Sequence, residues 1–314
     1  MKPKVLLSRK WPAPCEERLS RDYDVTLNDA DVALSAAELR AAMDSYDAVC
    51  VTVTDTVGAD VIHKNQRARI IGNFGVGVNH IDLDAAKAAG VAVSNTPDVL
   101  TEATADMAIT LMLSAARRSS EGERQLRRGA WESWTPTHLL GRGLRGKTLG
   151  IIGMGRIGQE VARIAQTAFS MKIVYYNRSE KPGGERLGTV AEVMERADVV
   201  SLHVPGGAGT DGLIGAEELA LLGPEGMLIN TARGTVVDEP ALIAALQEGK
   251  LGSAGLDVFA QEPHVPEELR VLENVVLAPH MGSAVVETRV AMGMMVADAL
   301  DAHFAGREIP NRLV

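Results

Sequence analysis

Short apolar runs alternate with longer segments of helical period along most of the chain. KVLLS (4–8), DAVCVTV (47–53), RIIGNFG (69–75) and VAVSN (91–95) are nearly continuous in apolar residues, which predicts strands buried on both faces. Between them, SAAELRAAMDS opens with Ser35 and Glu38 at capping-box spacing. LDAAKAAG closes on Gly90, the residue type that most readily ends a helix in a left-handed conformation. A second series follows: KTLGIIG (147–153), MKIVYYN (171–177), DVVSLHV (198–204), GMLINTA (226–232), GSAGLDVF (252–259) and NVVLAP (274–279). Strands alternating with helices predict parallel sheets covered on both sides.

Two stretches depart from that rhythm. Residues 101–128 read as one long helix whose first part is apolar nearly all round, which predicts a position between domains or subunits. Residues 129–146, GAWESWTPTHLLGRGLRG, have no period and carry two of the three tryptophans. Irregular segments longer than about 12–15 residues are uncommon in compact domains unless they serve a function. A last helix is expected over 283–305. The pattern as a whole predicts an α/β protein of two doubly wound parallel-sheet lobes. One comprises residues 1–98 with 284–314, and the other, 99–283, is inserted into it.

Composition narrows the class. A chain of 314 residues suits two domains, and 46% hydrophobic with 23% charged residues supports a large core. A net charge of -9 and a pI near 5.4 give no electrostatic support for binding nucleic acid or an anionic membrane. Cys15 and Cys50 lie far apart and form no metal-ligand spacing, so free thiols and no metal site are expected. No apolar run reaches the length of a signal peptide or a membrane span, and the expected location is the cytoplasm.

The chemistry begins at TLGIIGMGRIGQEVARIAQ, where Gly153, Gly155 and Gly158 have G-x-G-x-x-G spacing between a strand and a helix. In that setting the first glycine makes a tight turn, the second admits a pyrophosphate, and the third lets helix and strand pack closely. The helix N-terminus favours the phosphate charge. The next strand ends in Asn177-Arg178-Ser179, where a ribose-binding acid is expected about 20 residues on. A carboxylate there would repel a 2′-phosphate carrying roughly 1.5–2 negative charges. Arg178 could grip that phosphate through two parallel hydrogen bonds, with Ser179 as a further donor. The turn thus reads as preferring NADPH, with NADH possible; an ordinary solvated turn is the alternative.

Arg233, Glu262 and His280 each stand just beyond the end of an expected strand, where open α/β sheets bind ligands. Together with GMGRIG, the motifs NTARGTVVDEPAL, GLDVFAQEP and LAPHMGS resemble those of the D-isomer-specific 2-hydroxyacid dehydrogenase family. The likeness extends to GNFGVGVNHIDLDAAKAAGVAVSNTP in the first lobe and so covers most of the chain. It implies a Rossmann cofactor domain inserted into a flavodoxin-like substrate domain. It also implies that Arg233 binds and polarises a 2-keto acid, that His280 gives a proton to the carbonyl oxygen, and that Glu262 pairs with His280. Implied cofactor contacts are Thr104, Met154, Arg156 and Ile157 beside the three glycines, Asn177 to Ser179, His203, Val204, Pro205, Thr210, Thr231, Ala232, Arg233, Asp257, His280 and Gly282.

The same likeness implies that backbone N–H groups of Val76 and Gly77 hold the substrate carboxylate, with Val53, Arg233 and His280 completing the substrate contacts. Asn79 stands where many relatives have Asp, and GGAGTDG after Pro205 is richer in glycine than usual. Within the family the chain resembles the NADPH-dependent glyoxylate and hydroxypyruvate reductases most closely. That group implies a homodimer in which the 101–145 arm helps close the partner's site, making Trp131, Trp134 and His138 interface candidates. A loop covering its own domain is the alternative. The alternatives are a dehydrogenase of the same fold for another 2-keto acid or for phosphoglycerate, or, from a different class, a dinucleotide-sensing corepressor. Formate dehydrogenases of this fold carry glutamine where Glu262 stands and fit less well.

Overall fold

Successive side chains of a strand point to opposite faces, and here both faces of both sheets are buried. The computed structural model describes all residues from 1 to 314, which form two compact units, Met1–Leu100 with Ala284–Val314, and Thr101–Ser283.

The first unit runs β1 (Lys4–Leu7), α1 (Ala13–Asp22), β2 (Asp24–Thr26), α2 (Ala36–Ser45), β3 (Ala48–Thr52), β4 (Ile70–Phe74), α3 (Leu83–Ala89) and β5 (Ala92–Ser94). Its five strands are parallel in the order β2-β1-β3-β4-β5, a flavodoxin-like order. The alternation is visible residue by residue. Val5, Leu7, Cys50 and Ile70 join one core with Leu19 of α1, while Leu6, Val49, Val51 and Ile71 join the other with Leu39 and Met43 of α2. Ser35 and Glu38 form the expected capping box on α2, and Gly90 ends α3 at φ 70°.

The second unit runs α4 (Thr101–Ala116), α5 (Ser119–Arg127), β6 (Thr148–Ile152), α6 (Arg156–Phe169), β7 (Lys172–Tyr176), β8 (Glu185–Arg186), α7 (Val190–Arg196) and β9 (Val199–Leu202). It continues through α8 (Ala216–Leu222), β10 (Met227–Asn230), α9 (Glu239–Gln247), β11 (Ser253–Leu256), α10 (Glu267–Arg270) and β12 (Val275–Leu277). The chain then enters α11 (Val286–Phe304), whose Val296 and Leu300 belong to the core of the first unit. The seven parallel strands of the second unit lie in the order β12-β11-β10-β9-β6-β7-β8. Chain order therefore reverses at β6, which has β7 on one side and β9 on the other, the position at which such sheets bind ligands.

The expected single helix over 101–128 is two. Arg118 adopts a left-handed φ of 51° and breaks it, and the Arg118 guanidinium pairs with Glu121 in the turn that follows. Helix α4 packs against α6 and strands β10 and β11, which accounts for its apolar circumference, whereas α5 buries no residue. No helix is long and apolar enough to cross a membrane.

Candidate active site

The site in the second unit is built from strand ends. β6 stops at Ile152, and Gly153 turns the chain at φ 97°. A Cβ on Gly153 would stand 2.7 Å from the backbone carbonyl of His203, which continues β9 alongside, so only glycine lets the two strand ends close up. A Cβ on Gly158 would collide with the carbonyl of Gly153, whereas above Gly155 there is open space. Gly155 caps α6 with no side-chain acceptor, and no acidic residue stands in the first turn of that helix. Met154 is buried in the core behind the turn. A tight turn, an open backbone and an uncapped helix start fit the pyrophosphate of a dinucleotide.

At the end of β7, the Asn177 side-chain amide donates to the Ser179 carbonyl at 2.7 Å and its hydroxyl at 3.3 Å. Arg178 and Ser179 are exposed. The structure adds a residue that the sequence pattern concealed. Arg186 of β8 donates from Nε to the Asn177 carbonyl and from Nη2 to the Arg178 carbonyl, each at 3.1 Å. A second guanidinium thus stands at the turn, while Glu185, beside it in sequence, is engaged by Arg196. A pair of cations with no acid bonded to them suits a phosphate better than a ribose hydroxyl.

At the end of β9, His203 Nε2 lies 2.8 Å from Ser201 Oγ. Desolvation of the ring pulls His203 down to about 3, so it is neutral at physiological pH. In the loop beyond, the Thr210 hydroxyl donates back to the Pro205 carbonyl at 2.5 Å and is committed to closing that loop. Thr231, after β10, has a buried Oγ1 with no hydrogen-bond partner in the chain, a donor and acceptor suited to a ligand.

The charged group lies beyond β10, β11 and β12. His280 Nδ1 is 2.6 Å from Glu262 Oε2, and Glu262 Oε1 accepts from the Phe259 N–H at 3.0 Å. Burial alone would push the Glu262 carboxyl up, but the hydrogen bond and charge of His280, with help from Phe259 N–H and Arg233, hold it below the usual carboxylate range. Glu262 is therefore ionised at neutral pH. The Arg233 guanidinium donates from Nη1 to the Ala232 carbonyl at 2.6 Å. Burial lowers its pKa and the Glu262 charge opposes that, but arginine keeps its charge in proteins.

A buried acid organises the histidine. Asp257, 1% exposed, accepts from the N–H groups of Met281 and Gly282, each at 2.7 Å, while its carbonyl accepts from His280 N–H at 2.8 Å. Desolvation raises the Asp257 pKa, and the two N–H donors and His280 oppose it. These bonds hold His280 at φ 50°, a conformation disfavoured for a residue with a Cβ. Thr104 of α4 lies against Gly282 on the same side.

Val53, Val76 and Gly77 belong to the first unit, beyond β3 and β4. Val53 and Val76 are each 38% exposed. The N–H groups of Val76 and Gly77 make no hydrogen bond within the chain, whereas the carbonyls of Gly75, Val76 and Gly77 are all engaged. Two successive backbone N–H groups are thus left open to a ligand.

The arm is placed differently from the charged group. His138 Nε2 lies 2.8 Å from Gln125 of α5, Arg124 pairs with Glu273 ahead of β12, and Arg142 bonds Glu225 ahead of β10. These anchors sit at the N-terminal edge of the sheet, opposite the edge that carries Arg233, Glu262 and His280. Trp131 and Trp134 are 50% and 76% exposed.

Comparison with known proteins joins these features. The profile of the D-isomer specific 2-hydroxyacid dehydrogenase, NAD binding domain, matches residues 109–282, more than half of the chain. Glyoxylate reductase of Thermococcus litoralis is 44% identical across 100% of this chain and 97% of its own. Among solved structures, the NADPH-dependent glyoxylate/hydroxypyruvate reductase of Sinorhizobium meliloti in complex with NADP and malonate is 37% identical. It superposes with a TM-score of 0.89 over 100% of this chain and 97% of that one. A glyoxylate reductase from Paecilomyes thermophila is 32% identical, with a TM-score of 0.86 over 99% and 98%. Likeness at full length, in sequence and in fold, takes in the glycine turn and the charged group alike: the chain belongs to the D-isomer specific 2-hydroxyacid dehydrogenase family.

Proposed function

We propose that this chain is a 2-keto acid reductase that takes hydride from NADPH and acts on small substrates of the glyoxylate and hydroxypyruvate class. The observation that carries the proposal is the 2.6 Å pair of His280 and Glu262 with Arg233 in the same charged group, in a unit whose sheet also bears the glycine turn. Relatives named glyoxylate reductase at 40–44% identity over nearly the whole chain support the substrate class.

Gly153, Gly155 and Gly158 with the start of α6 would hold the pyrophosphate, and Arg178, Ser179 and Arg186 the 2′-phosphate. Thr104, Thr231 and Asp257 would lie toward the nicotinamide. When bound, the reduced nicotinamide supplies the hydride. The residues of the chain manage everything else. The N–H groups of Val76 and Gly77 bind the carboxylate, and Arg233 binds the keto acid and draws electron density toward its carbonyl oxygen. Glu262 fixes the His280 ring through Nδ1 and stabilises positive charge on it, leaving Nε2 to deliver the proton to the developing alkoxide. Burial of Arg233 strengthens its pull, because charge acts further in a poorly solvated site.

Trp131 and Trp134 expose large aromatic surface on an arm remote from the charged group of its own chain, and they are proposed to dock on a second copy of the chain. The two buried free cysteines suit a reducing compartment such as the cytoplasm.

The test is oxidation of NADPH and of NADH against glyoxylate, hydroxypyruvate, pyruvate and larger 2-keto acids. The proposal expects kcat/KM with glyoxylate or hydroxypyruvate to exceed that with bulkier acids. It also expects NADPH to be preferred by at least about tenfold, the scale of one or two charge-assisted hydrogen bonds. No turnover of any 2-keto acid would overturn the proposal, and equal use of both cofactors would overturn the phosphate site alone.

A further inference from the structure

We propose that Asn73 and Asn95 are positioning residues that turn the loop from Gly75 to Gly77 into the carboxylate grip, Asn73 directing the Val76 N–H and Asn95 the Gly77 N–H. The inference rests on the reading of this loop as the substrate-carboxylate site. In a planar trans peptide, C=O and the following N–H point in opposite directions. Whatever pulls a carbonyl one way therefore aims the next N–H the other way.

Asn73, at the inner end of the loop, is fully buried. Its Nδ2 donates to the Gly75 carbonyl at 2.9 Å and to the Gly77 carbonyl at 3.0 Å, using both of its N–H bonds. Its Oδ1 lies 3.0 Å from His80 Nε2, which fixes which way round the amide sits. The Gly75 carbonyl also accepts from the Thr96 N–H at 3.1 Å. Asn95, only partly buried, donates from Nδ2 to the Val76 carbonyl at 2.9 Å. Three consecutive carbonyls are thus taken up by side chains and backbone of the same unit. Holding the Gly75 carbonyl directs the Val76 N–H to the opposite side, and holding the Val76 carbonyl does the same for the Gly77 N–H.

Neither of those two N–H groups has a partner in the chain, nor has that of Val78, which follows the Gly77 carbonyl that Asn73 also holds. An unheld loop of this glycine content would sample many conformations, and the substrate would then have to order it on binding. Asn73 and Asn95 meet that cost in advance. Neither touches the reacting carbonyl, so their removal should weaken acid binding without slowing the proton and hydride steps to the same degree.

The experiment compares Asn73→Ala and Asn95→Ala with the unaltered protein, measuring kcat and KM for glyoxylate, the Kd of NADPH, and competitive inhibition by oxalate. For each variant KM and the oxalate inhibition constant should rise together by at least about tenfold, the scale of a lost hydrogen bond to a charged group. kcat should stay within about threefold and the NADPH Kd should be unchanged. Asn95 is partly exposed and makes a single side-chain bond to the loop, so Asn95→Ala carries the test should Asn73→Ala fail to fold. Unchanged KM and oxalate inhibition in a folded Asn95→Ala variant, or a loss confined to kcat, would overturn the inference. A parent protein that neither reduces any 2-keto acid nor binds oxalate would instead refute the functional reading on which it rests.

Discussion

Gly206 and Gly207 are neighbours in the loop after β9, and each is glycine for a different reason. The backbone at Gly206 is one that any residue adopts, but a Cβ there would stand 2.8 Å from Cγ and 3.2 Å from Cβ of Arg233. At Gly207 the space is open, but φ is 121°, which side chains rarely tolerate. Gly206→Ala should therefore displace the Arg233 stem and lower kcat/KM for glyoxylate by at least about tenfold, since small misplacements of a substrate-binding group are costly, while the NADPH Kd holds. Gly207→Ala should keep near-normal kinetics and lower the unfolding free energy by roughly 1–3 kcal/mol. Steady-state kinetics and denaturant titration of both variants check this, and unaltered kinetics in Gly206→Ala would show that Arg233 is not held there. At this scale the sequence disclosed some roles and concealed others. Arg233, Glu262 and His280 stand in motifs at strand ends, so they were legible. The parts played by Asn73, Asn95, Arg186 and Gly206 depend on neighbours that only the folded chain supplies.

Elements were legible wherever burial left a pattern. The ten strands expected from apolar runs are present, each shorter than its run by one to four residues, because the flanking residues leave the hydrogen-bonded ladder. Strands β2 and β8 were missed. Both are edge strands, and DVT and ER present no buried position to mark them. The break between α4 and α5 was missed as well, since Arg118 makes the left-handed turn that glycine or asparagine would have announced. The arm after α5 has no period because it builds no regular element, and its exposed tryptophans concentrate apolar surface in a few residues. If it docks on a second copy, replacing Trp131 and Trp134 together with serine should shift the protein from dimer to monomer in sedimentation velocity. It should also lower turnover. A parent protein that sediments as a monomer would contradict that role.

For the molecule as a whole, charge poses a problem that local structure answers. A chain of net charge -9 is expected to bind anions, a dinucleotide and a keto acid. Beyond about 8 Å at physiological ionic strength its field is largely screened, so the immediate surroundings decide. Under the proposed function those surroundings are a helix start without acids and arginines at 178, 186 and 233 in the second unit, and backbone N–H groups at 76 and 77 in the first. Each unit has its own sheet and cores, and their number could be anticipated from two series of strands. The chemistry was anticipated from motifs in the second series. The most direct measurement is glyoxylate-dependent NADPH oxidation by His280→Ala, taken together with its NADPH Kd. Loss of the proton donor should cut kcat by about 100-fold or more while NADPH binds as before; turnover near that of the unaltered protein would contradict the account.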